Sequence, residues 1–100
     1  MIFDDEKLAG FAMVNPYSYL GKKPDYVMAE FTIFPMYRKK QIGARAAECI
    51  FESLKGKWEL KYNEKNEAAK AFWNKIAAPY KPVKHLYSDT ETVLEFSTIQ

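Results

Sequence analysis

Ala29 to Leu54, AEFTIFPMYRKKQIGARAAECIFESL, is the stretch on which the fold turns. Ala29 to Phe34 is rich in β-branched and aromatic residues and predicts a strand. Pro35 ends it, because proline brings no N–H to a ladder. Beyond a turn at Tyr37 to Gln41, small and apolar residues recur at Gly43, Ala46 or Ala47, Ile50 and Leu54, the three-and-four spacing of a helix. A strand therefore feeds a helix through a cationic turn. Such a junction offers unpaired N–H groups and a positive dipole end, and Arg38, Lys39, Lys40 and Arg45 add formal charge, so it reads as a phosphate site.

Working outward, the strand begins at Tyr26. Strict alternation puts Tyr26, Met28, Glu30, Thr32 and Phe34 on one face and Val27, Ala29, Phe31 and Ile33 on the other, leaving Glu30 as a carboxylate among residues of buried type. Upstream, Ile2 and Phe3, the polar cluster Asp4 to Lys7 and the apolar Leu8 to Val14 predict a hairpin with a short first arm, as if the strand were cut into. Asn15 to Asp25, with two prolines, a glycine and two lysines, predicts a surface loop whose Tyr17 and Tyr19 line a pocket mouth or cover a core edge. Downstream, Lys55-Gly56 is a helix stop with glycine in its usual C-terminal role. Lys57 to Tyr62 alternates Trp58, Leu60 and Tyr62 against Lys57, Glu59 and Lys61, a half-exposed strand. Asn66 is a good N-cap for a second helix, Glu67 to about Ala77, with Ala69, Phe72, Trp73 and Ile76 on one face and Lys70, Asn74 and Lys75 away from it. Pro79 and Pro82 stop that helix. Val83 to Tyr87 and Thr92 to Thr98, joined by Ser88 to Glu91, close the chain as a hairpin. The expected fold is α/β: a mixed, mostly antiparallel sheet with a central parallel strand pair and two main helices.

One hundred residues with 48% hydrophobic and 16% aromatic content suit one small folded domain. A net charge of +2, from 15 basic and 13 acidic residues, is too small to argue for a polyanion-binding surface. One cysteine, Cys49, and one histidine, His85, exclude an internal disulfide and a metal cluster of the usual spacing, so no metal is expected. The cysteine usage fits a reducing cytoplasm, and neither a basic leader nor a membrane-length apolar run is present. Cys49 reads as packing rather than nucleophile, and His85 as structural or exposed.

The residues also carry a family resemblance. Glu30 to Ala44, EFTIFPMYRKKQIGA, is similar to the acetyl-CoA-binding motif of the GNAT superfamily of N-acetyltransferases: Gln or Arg, two residues, Gly, one residue, then Gly or Ala. Arg38 takes the first position, Gln41 stands where the first glycine is expected, and Gly43 takes the last. A second block, Asn66 to Trp73, NEAAKAFW, resembles the Asn, Ala, Phe, aromatic pattern that opens the family's fourth helix. Trp58, Glu59 and the Phe72-Trp73 pair resemble a bacterial subgroup of predicted acetyltransferases. The resemblance covers about residue 8 to the end, and the family's first strand and first two helices have no counterpart, which implies an N-terminally truncated domain spanning 1–100.

The resemblance implies acetyl-CoA as co-substrate, with its pyrophosphate on the backbone of Arg38, Lys39, Lys40, Gln41, Ile42, Gly43 and Ala44. Phe31, Thr32 and Ile33 would flank the pantetheine arm, with an oxyanion N–H near Thr32 or Ile33, and Asn66, Ala69, Phe72 and Trp73 would complete the coenzyme contacts. Glu30 occupies the place of a general base, and partial burial would suit it to that role. Many members carry a tyrosine acid where this chain has Trp73, and an indole is no useful acid, so Tyr62 or Tyr80 would have to substitute. Gln41 brings a Cβ to a point where glycine lets phosphate approach.

The leading expectation is direct acetyl transfer through a tetrahedral intermediate to a small-molecule or peptide primary amine. The alternative is a degenerate module that binds CoA, or only a partner chain, without turnover. A nucleic-acid-binding domain using Arg38 to Arg45 has weaker support, since no recognised motif accompanies that patch. A truncated first strand leaves an exposed sheet edge, and a second copy is expected to cover it.

Overall fold

The computed structural model describes residues 2–4, 7–33 and 42–99. Phe34, the end of the expected central strand, and the basic turn with Arg38, Lys39, Lys40 and Gln41 lie outside the described residues. The elements in order are β1 (Ile2–Asp4), β2 (Lys7–Asn15), β3 (Tyr26–Ile33), α1 (Ile42–Ser53), β4 (Lys57–Asn63), α2 (Glu67–Ala77), a 3-10 turn (Ala78–Tyr80), β5 (Val83–Leu86) and β6 (Glu91–Ser97). The strands form one sheet in the order β1-β2-β3-β4-β6-β5, and β3 with β4 is its parallel pair, joined through α1. The predicted mixed α/β architecture is the one observed. No described helix is long and apolar enough to cross a membrane.

Both helices pack on one face of the sheet. Phe51 lies at the centre of this layer, fully buried, with ring centroids 4.8 Å from Trp58, 5.3 Å from Phe96, 6.2 Å from Tyr80 and 6.5 Å from Trp73. Helical spacing alone had nominated Ile50 and Leu54 for the stripe; the structure half-buries both and sends Phe51, with Ala47 and Gly43, fully inward. Gly43 and Ala47 keep their expected places, and the difference lies in the second half of the helix, where Phe51 instead of Ile50 enters the cluster of aromatic rings.

The strict alternation expected along β3 fails at one residue. Met13 of β2 faces Glu30 and Val14 faces Met28, so Ala29 is an extra residue on β3, a β-bulge. The bulge resets the period: Tyr26 and Met28 pack under the helices, and so does Phe31, which alternation had put on the opposite face.

Glu59 is a second correction. Read as a half-exposed strand position, it is 1% exposed. The Asn15 to Asp25 loop lies on the face of the sheet away from the helices and seals it: Glu59 accepts the Ser18 hydroxyl at 2.5 Å and the Tyr19 N–H at 2.8 Å. Under the same cover lie Val27 and Val93. A polar strand position is thus buried by a loop that strand periodicity does not register.

α1 ends at Ser53, three residues before Gly56, and the glycine has a packing role instead of the expected C-terminal one. Among the described glycines, only Gly21 has positive φ, at 69°. Gly56 is buried where a Cβ would come within 2.5 Å of the Asp25 carboxylate, whose Oδ2 accepts the Lys57 N–H at 2.8 Å.

Candidate functional site

β3 and β4 pair only at Tyr26–Trp58, Val27–Glu59 and Met28–Leu60, then diverge, although β3 continues to Ile33 and β4 to Asn63. The bulge at Ala29 sits where the pairing stops, and the added twist of a bulge turns the strand away from its neighbour. From Ala29 to Thr32, β3 therefore has no ladder partner on β4.

On the helix side the opening becomes a cleft of about 610 Å³, within the range of small-molecule sites. Phe31, Thr32 and Ile33 form its β3 wall, Gly43 and Ala44 at the start of α1 its head, and Asn66, Ala69, Phe72 and Trp73 of α2 its second wall. Helical spacing explains the α2 set. The cap is as expected, with Asn66 Oδ1 accepting the Ala69 N–H at 3.1 Å. Ala68, Lys75 and Ile76 also line the cleft; Lys75, three residues from Phe72, had been assigned away from the apolar face. Gly43 serves packing: a Cβ there would stand 3.3 Å from Ile33 Cγ1 and 3.5 Å from Phe72 Cε1. Its absence lets the head of α1 close on β3 and α2, with the first-turn N–H groups of the helix at the cleft. Ile42 is buried with Ile2, Ala9 and Ile33 and is not part of the lining.

At the apex of the divergence lies a smaller recess of about 140 Å³. The last paired residues, Met28 and Leu60, form its base; Ala29 and Glu30 on one strand and Lys61 on the other flank it; Phe31 and Trp73 complete it. Glu30 is exposed rather than partly buried. Phe31 and Trp73 line both cavities and meet edge to face at 5.2 Å, with Phe72 packed on Trp73 at 4.8 Å.

The two tyrosines considered as acids are placed elsewhere. Tyr62 is buried in the main core, its hydroxyl accepting Asn74 Nδ2–H at 3.1 Å. Tyr80 follows α2 at the opposite end of β4 from the divergence, stacked on Phe96 at 5.7 Å. Burial, and then Glu52 and Glu48, push its hydroxyl pKa up. Neither lines the cleft or the recess.

The opposite face of the sheet carries a charged network. Lys61 Nζ is 3.1 Å from Glu91 and lies over the rings of Tyr19 and Tyr87 at 4.9 and 5.0 Å. Burial outweighs the nearby Lys61 charge and raises the Tyr19 pKa. Lys22 Nζ holds both Glu95 oxygens, at 3.1 and 3.0 Å, and His85 Nε2 is 3.0 Å from Oε1. The Lys22 hydrogen bond, against some desolvation and with His85 assisting, keeps the Glu95 carboxyl below the usual range. His85 thus has a partner that local sequence did not reveal.

No curated protein matches the sequence. The model of the Acetyltransferase (GNAT) family matches residues 1–77, starting before the reading from residue 8 and ending with α2. With that match over most of the 100 residues, and a diverging parallel strand pair opening on the head of the following helix, the chain belongs to the GNAT family of acetyltransferases.

Proposed function

We propose that the chain transfers an acetyl group from acetyl-CoA to a primary amine. The observation that carries this reading is the parting of β3 from β4 after Met28 and Leu60, with Phe31 and Trp73 lining both the helix-side cleft and the recess beside Glu30. The residues fit the co-substrate: the small side chains of Gly43, Ala44, Ala68 and Ala69 in the lining leave room at the cleft, and helix-start N–H groups suit a pyrophosphate. Arg38, Lys39, Lys40 and Gln41 would extend that anion site. The pantetheine arm would lie along Phe31, Thr32 and Ile33, with its thioester at the apex.

In the reaction, Glu30 takes one proton from the acceptor ammonium, directly or through water. The freed nitrogen attacks the thioester carbonyl carbon, and a backbone N–H near Thr32 or Ile33 stabilises the oxyanion. Collapse breaks the C–S bond, the nitrogen gives up its second proton to water, and coenzyme A leaves as thiolate. A thiol has a pKa of about 8.5, so the leaving group departs near neutral pH without a tyrosine acid and takes its proton from water.

Coenzyme binding without turnover is the competing reading, favoured by the positions of Tyr62 and Tyr80 away from the cleft. Thermal melting separates them in two steps. Acetyl-CoA at one hundred times its dissociation constant should stabilise the native state by about 2.7 kcal/mol, a rise of 10 °C or more for a domain of this size. An unchanged melting temperature at millimolar acetyl-CoA rejects both readings. Thiol release against a panel of amines then supports transfer, and Glu30→Gln should lower it about 10²-fold or more while leaving the melting shift in place.

A further inference from the structure

Lys61 flanks the recess from β4, across the strand gap from Glu30. Alternation along β4 sets Trp58, Leu60 and Tyr62 under the helices and turns Lys61, like Glu59, to the other face of the sheet. Among the described residues Lys61 is the lysine of the recess lining, whereas Lys75 belongs to the helix-side cleft. Its ammonium is held: Nζ lies 3.1 Å from Glu91 and 4.9 and 5.0 Å from the ring centroids of Tyr19 and Tyr87. Glu91 stands on β6, which borders β4 on the side away from β3, so the ion pair draws the ammonium away from the gap.

We infer that Lys61 is a latent site of self-acetylation, an amine of the chain itself beside the place of the acceptor, restrained by Glu91, Tyr19 and Tyr87. This rests on the acyl-transfer reading above and adds an acceptor that the chain supplies. A primary amine tethered at the reacting centre needs no second molecule to arrive, which removes the entropic cost of bringing one. The lysine stem is long and flexible, so an ammonium that leaves Glu91 can swing across β4 to the gap. There it gives one proton to Glu30, directly or through water. The nitrogen then forms a bond to the carbonyl carbon of acetyl-CoA, the C–S bond breaks, the second proton goes to water, and coenzyme A leaves as thiolate. The carboxylate and the two rings all favour the charged, unreactive form of the amine, so the parent reacts slowly and release of Lys61 speeds the step. Once acetylated, Lys61 has no charge to offer Glu91 or the rings, and the tie between the Tyr19 loop and the closing hairpin is lost.

Incubation of the chain with acetyl-CoA and no added amine tests this, with acetyl groups mapped on its lysines by mass spectrometry. Lys61 should be acetylated faster than Lys23 and Lys65, which are exposed and far from any cavity lining, and at a rate independent of protein concentration. Excess CoA should suppress labelling of Lys61 and leave that of Lys23 and Lys65 unchanged. Glu91→Gln and Tyr87→Leu, made separately so that misfolding of one leaves the other informative, should raise the Lys61 rate about threefold or more, and Glu30→Gln should lower it. Lys61 labelling no faster than that of the exposed lysines, or insensitive to CoA, overturns the inference. So do Lys61 rates in both folded variants that match the parent. Thiol release with added amines but no acetyl on Lys61 overturns the inference and leaves the transferase reading standing, whereas a chain that neither binds acetyl-CoA nor releases thiol rejects that reading itself.

Discussion

Glu59→Gln removes one charge and changes no shape, and the structure makes it destabilising. The carboxylate accepts two donors, Ser18 O–H and Tyr19 N–H, in a site only 1% exposed. The Ser18 oxygen has no spare capacity: it gives its proton to Glu59 and accepts the N–H groups of Leu20 at 3.0 Å and Lys22 at 3.1 Å. A glutamine must therefore point its amide donors at Ser18, whose lone pairs are taken, or at the Tyr19 N–H. Either orientation loses a bond to a charged group, worth about 1.5–3 kcal/mol, and sets donor against donor. One term runs the other way. Glu59 faces Glu95 across the β4–β6 pair, and relieving like charges there returns up to about 1 kcal/mol, less than the loss because Lys22 already neutralises Glu95. The net cost is about 2 kcal/mol, read as a lower urea midpoint by tryptophan fluorescence of Trp58 and Trp73 and as a fall in melting temperature of about 8–16 °C. Hydrogen exchange should quicken at Tyr19, Leu20 and Lys22 while the α1 amides respond only through global stability. Combined with Ser18→Ala, the two costs should fall short of additive by about 1 kcal/mol, since both remove the same bond. A Glu59→Gln variant within 0.5 kcal/mol of the parent, with unaltered exchange in the loop, would refute the clamp.

Phe51→Ala should cost about 3–5 kcal/mol, because four aromatic rings are packed around it and cannot all collapse into the space; a loss under 1 kcal/mol in urea unfolding would mean it is not the centre of the core. The depressed Glu95 carboxyl contributes stability that is present above its unfolded pKa and lost as pH falls through its folded pKa. Unfolding midpoints should therefore fall from pH 5 toward pH 3 in the parent and fall less steeply in Glu95→Gln; parallel curves would show that the Lys22–Glu95–His85 network is not coupled to folding.

Local pattern carried much of the fold. Strand β3, the helix after it, the Asn66 cap and the closing hairpin follow from side-chain periodicity, proline and cap chemistry, all properties of residues a few positions apart. The grouping of residues along the cleft was legible for the same reason: Asn66, Ala69, Phe72, Trp73 and Ile76 recur at helical spacing on α2, and the other lining residues, Phe31, Thr32, Ile33, Gly43 and Ala44, sit on the strand and helix that periodicity predicts. Lys75 was missed there because which flank of α2 meets the cleft depends on how that helix is rotated against α1 and β3.

Other features needed the assembled chain. Ala29 is an extra residue only relative to β2, so a bulge that resets the faces of β3 has no signature in β3 itself. Glu59 is buried by a loop forty residues earlier in the chain, and charge alternation in KWELKY describes a strand with nothing on top of it. Gly56 is required by the Asp25 side chain, a neighbour only once β3 and β4 are parallel. The same holds for the tyrosines, whose chemistry is evident in sequence and whose distance from the cleft is not. What the sequence determined by itself is the set of elements and their order, because those rest on short-range sterics and hydrogen bonding. What the tertiary structure decided is which polar groups are sealed, which aromatic rings stand at the apex of the divergence, and which carboxylate is left open beside them, because these depend on contacts between residues far apart in the chain.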